Sequence, residues 1–196
     1  MTGKMKYFFV QDYRHKYRFF SSEPLSQIEV HFSRWEKMWE SAKKKLLLLP
    51  HKVLLQEQAF ERILKSKENN IKIFYSGRLE GKRAKIKFFF FIQRQRTKHI
   101  IYLLGEILLL PISGLAAFLP GPNVFFGVLA LLIITHWQAF RGINKLSKKD
   151  IQLRPDPYLM EWEQAIRSQN DQCYDVILNK IGDKYHIPKI KKVLWK

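Results

Sequence analysis

Two titratable side chains, Glu106 and His136, interrupt a stretch from 100 to 140 that has no Lys, Arg or Asp. Glu106 lies 15 residues before Gly121, and His136 lies 15 residues after it. In an antiparallel helical hairpin turning at Gly121, both would stand roughly 20 Å from the tip, at about 1.5 Å of rise per residue. A carboxylate and an imidazole at one depth in apolar surroundings can pair and exchange a proton, which makes them a candidate proton or ion pair. The competing reading, favoured by the sequence, has each side chain reach separately to water at the headgroup level. Little else suggests chemistry. The chain shows no Gly-rich phosphate loop, no zinc-ligand spacing and no nucleophile motif with a base, so no enzyme, cofactor or metal is expected. The single cysteine, Cys173, excludes an internal disulfide and reads as a packing residue on a helical apolar side.

The elements that must position this pair are two apolar runs, Ile100 to Phe118 and Val124 to Phe140, separated by Pro120-Gly121-Pro122-Asn123. Two prolines and a glycine in succession cannot continue a helix, so these four residues form the expected turn. Pro111 predicts a kink in the first run. Arg94, Arg96 and Lys98 precede the hairpin, and Arg141, Lys145, Lys148 and Lys149 follow it. These are the candidate contacts to anionic lipid, and they predict both termini on the cytoplasmic or matrix side. Tyr102 and Trp137 fall where an interfacial aromatic belt is expected. A span needs about 20 apolar residues. Only 13 uncharged residues separate Glu106 from the turn, so a tilted span, a re-entrant hairpin and a buried soluble hairpin all stay open.

The whole chain is 196 residues with 35 basic and 17 acidic side chains, a net charge of +18, so a polyanionic partner is expected. The uncharged interval between basic flanks points to a membrane bearing anionic headgroups and disfavours nucleic acid. The reading is mainly α, in four segments. Residues 1–21 are aromatic and basic without a clear period. Residues 22–99 form a basic helical domain with an N-terminal helical hairpin. In it a heptad seam runs from Leu25 through Trp35 and Trp39 to Leu49, and a second helix carries Val53, Leu54, Phe60, Ile63 and Leu64. Residues 100–140 are the membrane-inserted hairpin. Residues 141–196 comprise a basic linker to Lys149, one amphipathic helix N-capped by Asp156-Pro157 and stopped at Gly182, and a basic tail. Alternation at Ile71, Ile73 and Tyr75, and again at Ala84, Ile86 and Phe88, allows a short β-hairpin at 71–92. The alternative there is a loop and a helix starting near Lys85 that runs on into the apolar segment.

The run from Leu110-Pro111 through Leu119, Pro120-Gly121-Pro122-Asn123 and Val124 to Phe125-Phe126, followed by His136, Ala139 and Gly142, resembles the mitochondrial K⁺–H⁺ exchange-related family. Arg34-Trp35-Glu36-Lys37 and Lys43-Lys44-Lys45 are similar to further elements of that family. Gly127-Val128 departs from its eukaryotic members, and with the lack of a presequence pattern this favours a bacterial cytoplasmic membrane over the mitochondrial inner membrane. The resemblance implies involvement in K⁺/H⁺ exchange or cation/proton homeostasis. One short hairpin cannot assemble a midplane cation site. An accessory role, or assembly as a homo-oligomer or with another membrane protein, is therefore expected over a stand-alone exchanger. The alternatives are a membrane-surface scaffold or lipid-binding protein without transport, and a basic nucleic-acid or ribosome-binding protein.

Overall fold

A computed structural model describes residues 5–22, 51–115, 124–187 and 190–195. The heptad seam and the Pro120-Gly121-Pro122-Asn123 turn lie outside them. The described part is mainly helical around one small sheet.

The sheet starts where the sequence suggested no element. Strands β1 (Tyr7–Gln11) and β2 (Tyr17–Ser21) pair antiparallel, with Phe8 opposite Phe20 and Phe9 opposite Phe19. Aromatic residues at consecutive positions hid the period, because both faces of this hairpin are buried. Asp12 closes its turn: the carboxylate accepts from the Arg14 and Lys16 amides at 2.9 and 3.0 Å, and from Arg18 Nε at 2.8 Å.

Helix α1 (His51–Lys65) follows, then β3 (Asn70–Tyr75), which lies parallel to β1. The suggested β-hairpin at 71–92 is corrected in its second half. Residues 81–115 are one long helix, α2 (Gly81–Leu115), because Ala84, Phe88 and Ile92 are buried at a spacing of four while Ile86 is exposed. Helix α3 (Val124–Leu146) takes in most of the expected basic linker, and β4 (Asp150–Pro155) then pairs parallel with β3. The strand order is β2-β1-β3-β4. The α2–α3 hairpin is thus the crossover that a parallel β3–β4 pair requires.

The C-terminal helix is also corrected. Asp156 does N-cap α4 (Pro157–Arg167), accepting from the Tyr158 and Leu159 amides. The chain then breaks at Ser168-Gln169-Asn170, with Gln169 at φ 52°, and resumes as a 3₁₀ turn and α5 (Tyr174–Tyr185). Helix α5 runs past Gly182 to a left-handed cap at His186, and Cys173 is exposed on the 3₁₀ turn instead of packed. In the tail, α6 (Ile190–Leu194) turns Ile190, Val193 and Leu194 inward.

Helices cover both faces of the sheet. Phe8, Val10 and Phe20 meet Leu159, Trp162, Leu178 and Ile181 on one side. Tyr7, Phe9, Phe19 and Ile73 meet Phe60, Ile63, Phe88, Ile143 and Leu146 on the other. On that second face α1 crosses α3 at Gly142, where an added Cβ would stand 2.1 Å from the Phe60 carbonyl oxygen. A methyl group cannot fit against rigid backbone at that distance. Gly142→Ala should therefore destabilise the protein by about 1–3 kcal/mol or more, read as a lowered midpoint of thermal unfolding in detergent. Gly105, with nothing within 4 Å of a Cβ, is the control. Gly105→Ala should be neutral or stabilise by up to about 1 kcal/mol.

Candidate functional site

The upper part of the α2–α3 hairpin carries large apolar side chains on its outer surface, while Glu106, Ser113, Thr135 and His136 are buried in it beside Leu103, Leu129 and Leu131. Ile101, Leu104, Leu108 and Ile112 on α2 are between 58% and 74% exposed, and Phe126, Ile134 and Trp137 add exposed apolar surface on α3. Within the shaft, hydroxyls bond back to their own helix: Ser113 Oγ donates to the Leu110 carbonyl at 2.8 Å, and Thr135 Oγ1 to that of Leu131 at 2.8 Å. Helix α2 continues through Pro111.

Lower down, three helices converge on four polar residues: Glu57 from α1, His99 and Glu106 from α2, and His136 from α3. All four are buried, His99 completely. Glu106 and His136 are brought together, with His136 Nδ1 2.6 Å from Glu106 Oε1. Neither reaches separately to water, so the arrangement favoured from sequence is not the one observed. Packing explains this, since α1 closes over the side of the hairpin where both residues lie. The His136 ring is flanked by Tyr102 at 5.1 Å and by His99 at 5.5 Å between centroids. His99 Nε2 stands 3.5 Å from Glu57 Oε1. Burial, with the His136 ring and the Lys98 ammonium nearby, lowers the His99 pKa to about 3, so this imidazole is neutral and the contact with Glu57 is not an ion pair. Neither ring nitrogen of His99 makes a hydrogen bond among the described residues, and neither does Glu106 Oε2.

His136, Ala139 and Gly142 follow one another at intervals of three on α3, all buried, with Ala139 and Gly142 at the crossing with α1. Small residues bring α1 close enough for Glu57 to reach the cluster. The sequence reading did not join Glu57 and His99 to this pair, because neither belongs to a local motif with it; 42 residues separate the two. The only available signal was their burial-prone setting, with each on the same helical face as a core aromatic or aliphatic residue, Phe60 for Glu57 and Ile92 for His99.

The cations at the foot of the hairpin divide into two groups. Arg94, Arg96, Arg141 and Lys148 are exposed and Lys98 is half-buried, its ammonium 5.3 Å from the Tyr102 ring centroid. Lys145 and Lys149 instead turn to the end of α1, where Lys145 Nζ donates to the Leu64 carbonyl at 2.6 Å and Lys149 Nζ to that of Ser66 at 3.3 Å. A cavity of about 710 Å³ beside this foot is lined by Lys16, Arg18, Lys87, Arg94 and Lys98, with Phe90 and Phe91.

The pairing of Glu106 with His136 is open to a double-mutant cycle. Glu106→Gln and His136→Gln should each lower the unfolding free energy. The double variant should be less destabilised than the sum, by a coupling of about 0.5–3 kcal/mol. Additive losses in denaturant titrations would show that the two do not interact.

The match to known proteins falls on this same region. A family model described as mitochondrial K⁺–H⁺ exchange-related matches residues 20–149, from the end of β2 through α1, β3 and the whole α2–α3 hairpin. Curated proteins and solved structures gave no match to the chain. With well over half its length covered by that model, and the hairpin and its buried cluster inside the covered part, the chain belongs to the mitochondrial K⁺–H⁺ exchange-related family.

Proposed function

We propose that this protein is anchored in an energy-transducing inner membrane by the tip of the α2–α3 hairpin and serves K⁺/H⁺ exchange there as an accessory component. The observation that carries this reading is the apolar outer surface of the hairpin, with buried polar side chains among the residues it encloses. Soluble monomers rarely expose apolar patches beyond a few hundred Å², whereas lipid accommodates such a surface without cost. Helix α3 contains a stretch, Phe126–Leu146, long and apolar enough to cross a membrane. Its lower end, at Ala139, Ile143 and Leu146, is packed into the core beside the sheet. Residues 124–138 extend about 22 Å at about 1.5 Å per residue, and His136 among them already packs near α1, against a hydrocarbon core of about 30 Å. The reading is therefore of a hairpin that enters and leaves by one face, with both termini on that side.

Cations at the foot support an anionic leaflet as partner. Arg94, Arg96, Lys98, Arg141 and Lys148 stand below the apolar shaft, each adding on the order of 1 kcal/mol of attraction to an anionic surface. The accessory role rests on the single apolar hairpin among the described residues, which offers no repeated halves from which to build an ion pathway. Action within a homo-oligomer or beside another membrane protein fits the same geometry.

Four measurements test the reading. After alkaline carbonate extraction the protein should stay with the membrane, and a cysteine placed at Asn123 should resist aqueous labelling from both sides. Labelling from the far side would replace the one-face hairpin by a full span, and release by carbonate would remove the membrane reading. In energised vesicles, loss of the protein should slow K⁺/H⁺ exchange severalfold, and restoring it should recover the rate. An unchanged rate would leave the membrane-scaffold alternative. Charge reversal at Arg94, Arg96 and Arg141 should weaken binding to vesicles containing anionic lipid and leave binding to neutral vesicles unaltered.

A further inference from the structure

A fully buried imidazole normally engages at least one ring nitrogen, yet both nitrogens of His99 lack a hydrogen bond among the described residues. Around it the structure gathers donors of one chemical kind. Glu57, His99 and His136 each offer a ligand atom within 4.8 Å of the other two, and all three are buried. Ligands about 2.1 Å from a tetrahedral centre stand about 3.4 Å apart, so side-chain rotations of on the order of 1 Å would close the set. His136 has Nδ1 beside the Glu106 carboxylate, which leaves Nε2 to bind. A carboxylate on the far nitrogen is the usual way a ligating imidazole is fixed in tautomer and orientation.

We propose that Glu57, His99 and His136 form a binding site for a first-row transition ion, with Zn²⁺ the best fit, and that Glu106 is the positioning residue behind His136. Two imidazole nitrogens and one carboxylate suit Zn²⁺, Co²⁺ or Ni²⁺. They do not suit K⁺, which is held by oxygen donors. The ion bound here would therefore not be K⁺. Three protein ligands leave a fourth position open for water. Because the ligands come from α1, α2 and α3, a bound ion would tie α1 to both legs of the hairpin.

Direct binding tests this without reference to transport, so failure of the exchange reading would leave the result intact. The full chain, without a histidine tag, is purified in detergent, stripped with a chelator and titrated with Zn²⁺ or Co²⁺. One ion per chain is expected, with the intense visible absorption of tetrahedral Co²⁺ and a raised midpoint of thermal unfolding. His99→Gln and Glu57→Gln should each weaken binding by 100-fold or more, and Glu106→Gln by about 10–100-fold. Joint replacement of His15 and His186 by Gln, both outside the cluster, should leave binding unchanged. Circular dichroism establishes that each variant is folded. Absence of saturable binding by the wild-type chain would overturn the proposal, as would an octahedral, water-like Co²⁺ spectrum. A folded His99→Gln or Glu57→Gln variant that binds like wild type would overturn it equally.

Discussion

The close crossing of α1 and α3 is the constraint on which the rest of the structure depends. At Gly142 the two backbones approach until no side chain fits between them. That contact fixes where α1 lies on the hairpin. One turn before Phe60 on α1 is Glu57; two turns before Gly142 on α3 is His136. Helical spacing then brings the two together without any local motif joining them. The same approach buries Ala139, Ile143 and Leu146 beside the sheet. A side chain at residue 142 would lift α1 away from both the apolar core and the polar cluster at once.

The sheet supplies the second half of this control. Strands β3 and β4 pair in parallel over six residues, from Asn70–Asp150 to Tyr75–Pro155, and the hairpin begins and ends close to them. Its first leg therefore leaves from the Tyr75 end of β3 and its second returns to the Asp150 end of β4, at opposite ends of the strand pair. On the opposite face of the sheet, buried Glu163 of α4 accepts from the Gln11 amide at 3.2 Å and from the Ser76 hydroxyl at 2.7 Å, just past the ends of β1 and β3. Asp156, just after β4, caps α4 and also accepts from the Tyr185 hydroxyl and Lys184. The C-terminal helices thereby brace the strand ends from which α2 departs. They lie beyond residues 20–149, the part matched by the family model.

How much of this was legible in the sequence depended on whether the pattern was local. The hairpin legs, the α1 helix and the Asp156-Pro157 cap could be read because their signals lie within a few residues of the elements they define. The equal distances of Glu106 and His136 from Gly121 could be counted, and in the structure the two side chains meet. Their burial could not be read, because it comes from α1, about 50 residues earlier in the chain. The β1–β2 hairpin was hidden by Phe8-Phe9 and Phe19-Phe20, where a strand buried on both faces shows no polar alternation. Strand β4 was hidden by its position, since Asp150 to Pro155 follows a run of lysines that reads as linker. Ala84, Ile86 and Phe88 fit both periods, and only the burial of Ala84, Phe88 and Ile92 decides for the helix.

The polarity of the hairpin bears on what holds its cluster in place. Leaving its outward Ile, Leu and aromatic side chains in water would cost on the order of 10–20 kcal/mol relative to an apolar environment, at about 1.5–3 kcal/mol for a fully buried side chain and less for partial cover. That is comparable with the whole stability of a domain, about 5–15 kcal/mol. The four buried polar side chains of the cluster would by themselves favour admitting water between the helices, since a buried polar atom left unsatisfied costs about 1–3 kcal/mol. Two contacts oppose this: the Glu106–His136 pair, which satisfies one polar atom of each partner, and the Phe60–Gly142 crossing, which fixes α1 over the opening. Neither supplies a partner to His99. An imidazole fully buried between α1 and α3 with neither ring nitrogen hydrogen-bonded among the described residues is a costly element unless it has a ligand to bind, and a cation that accepts nitrogen donors is the ligand proposed for it.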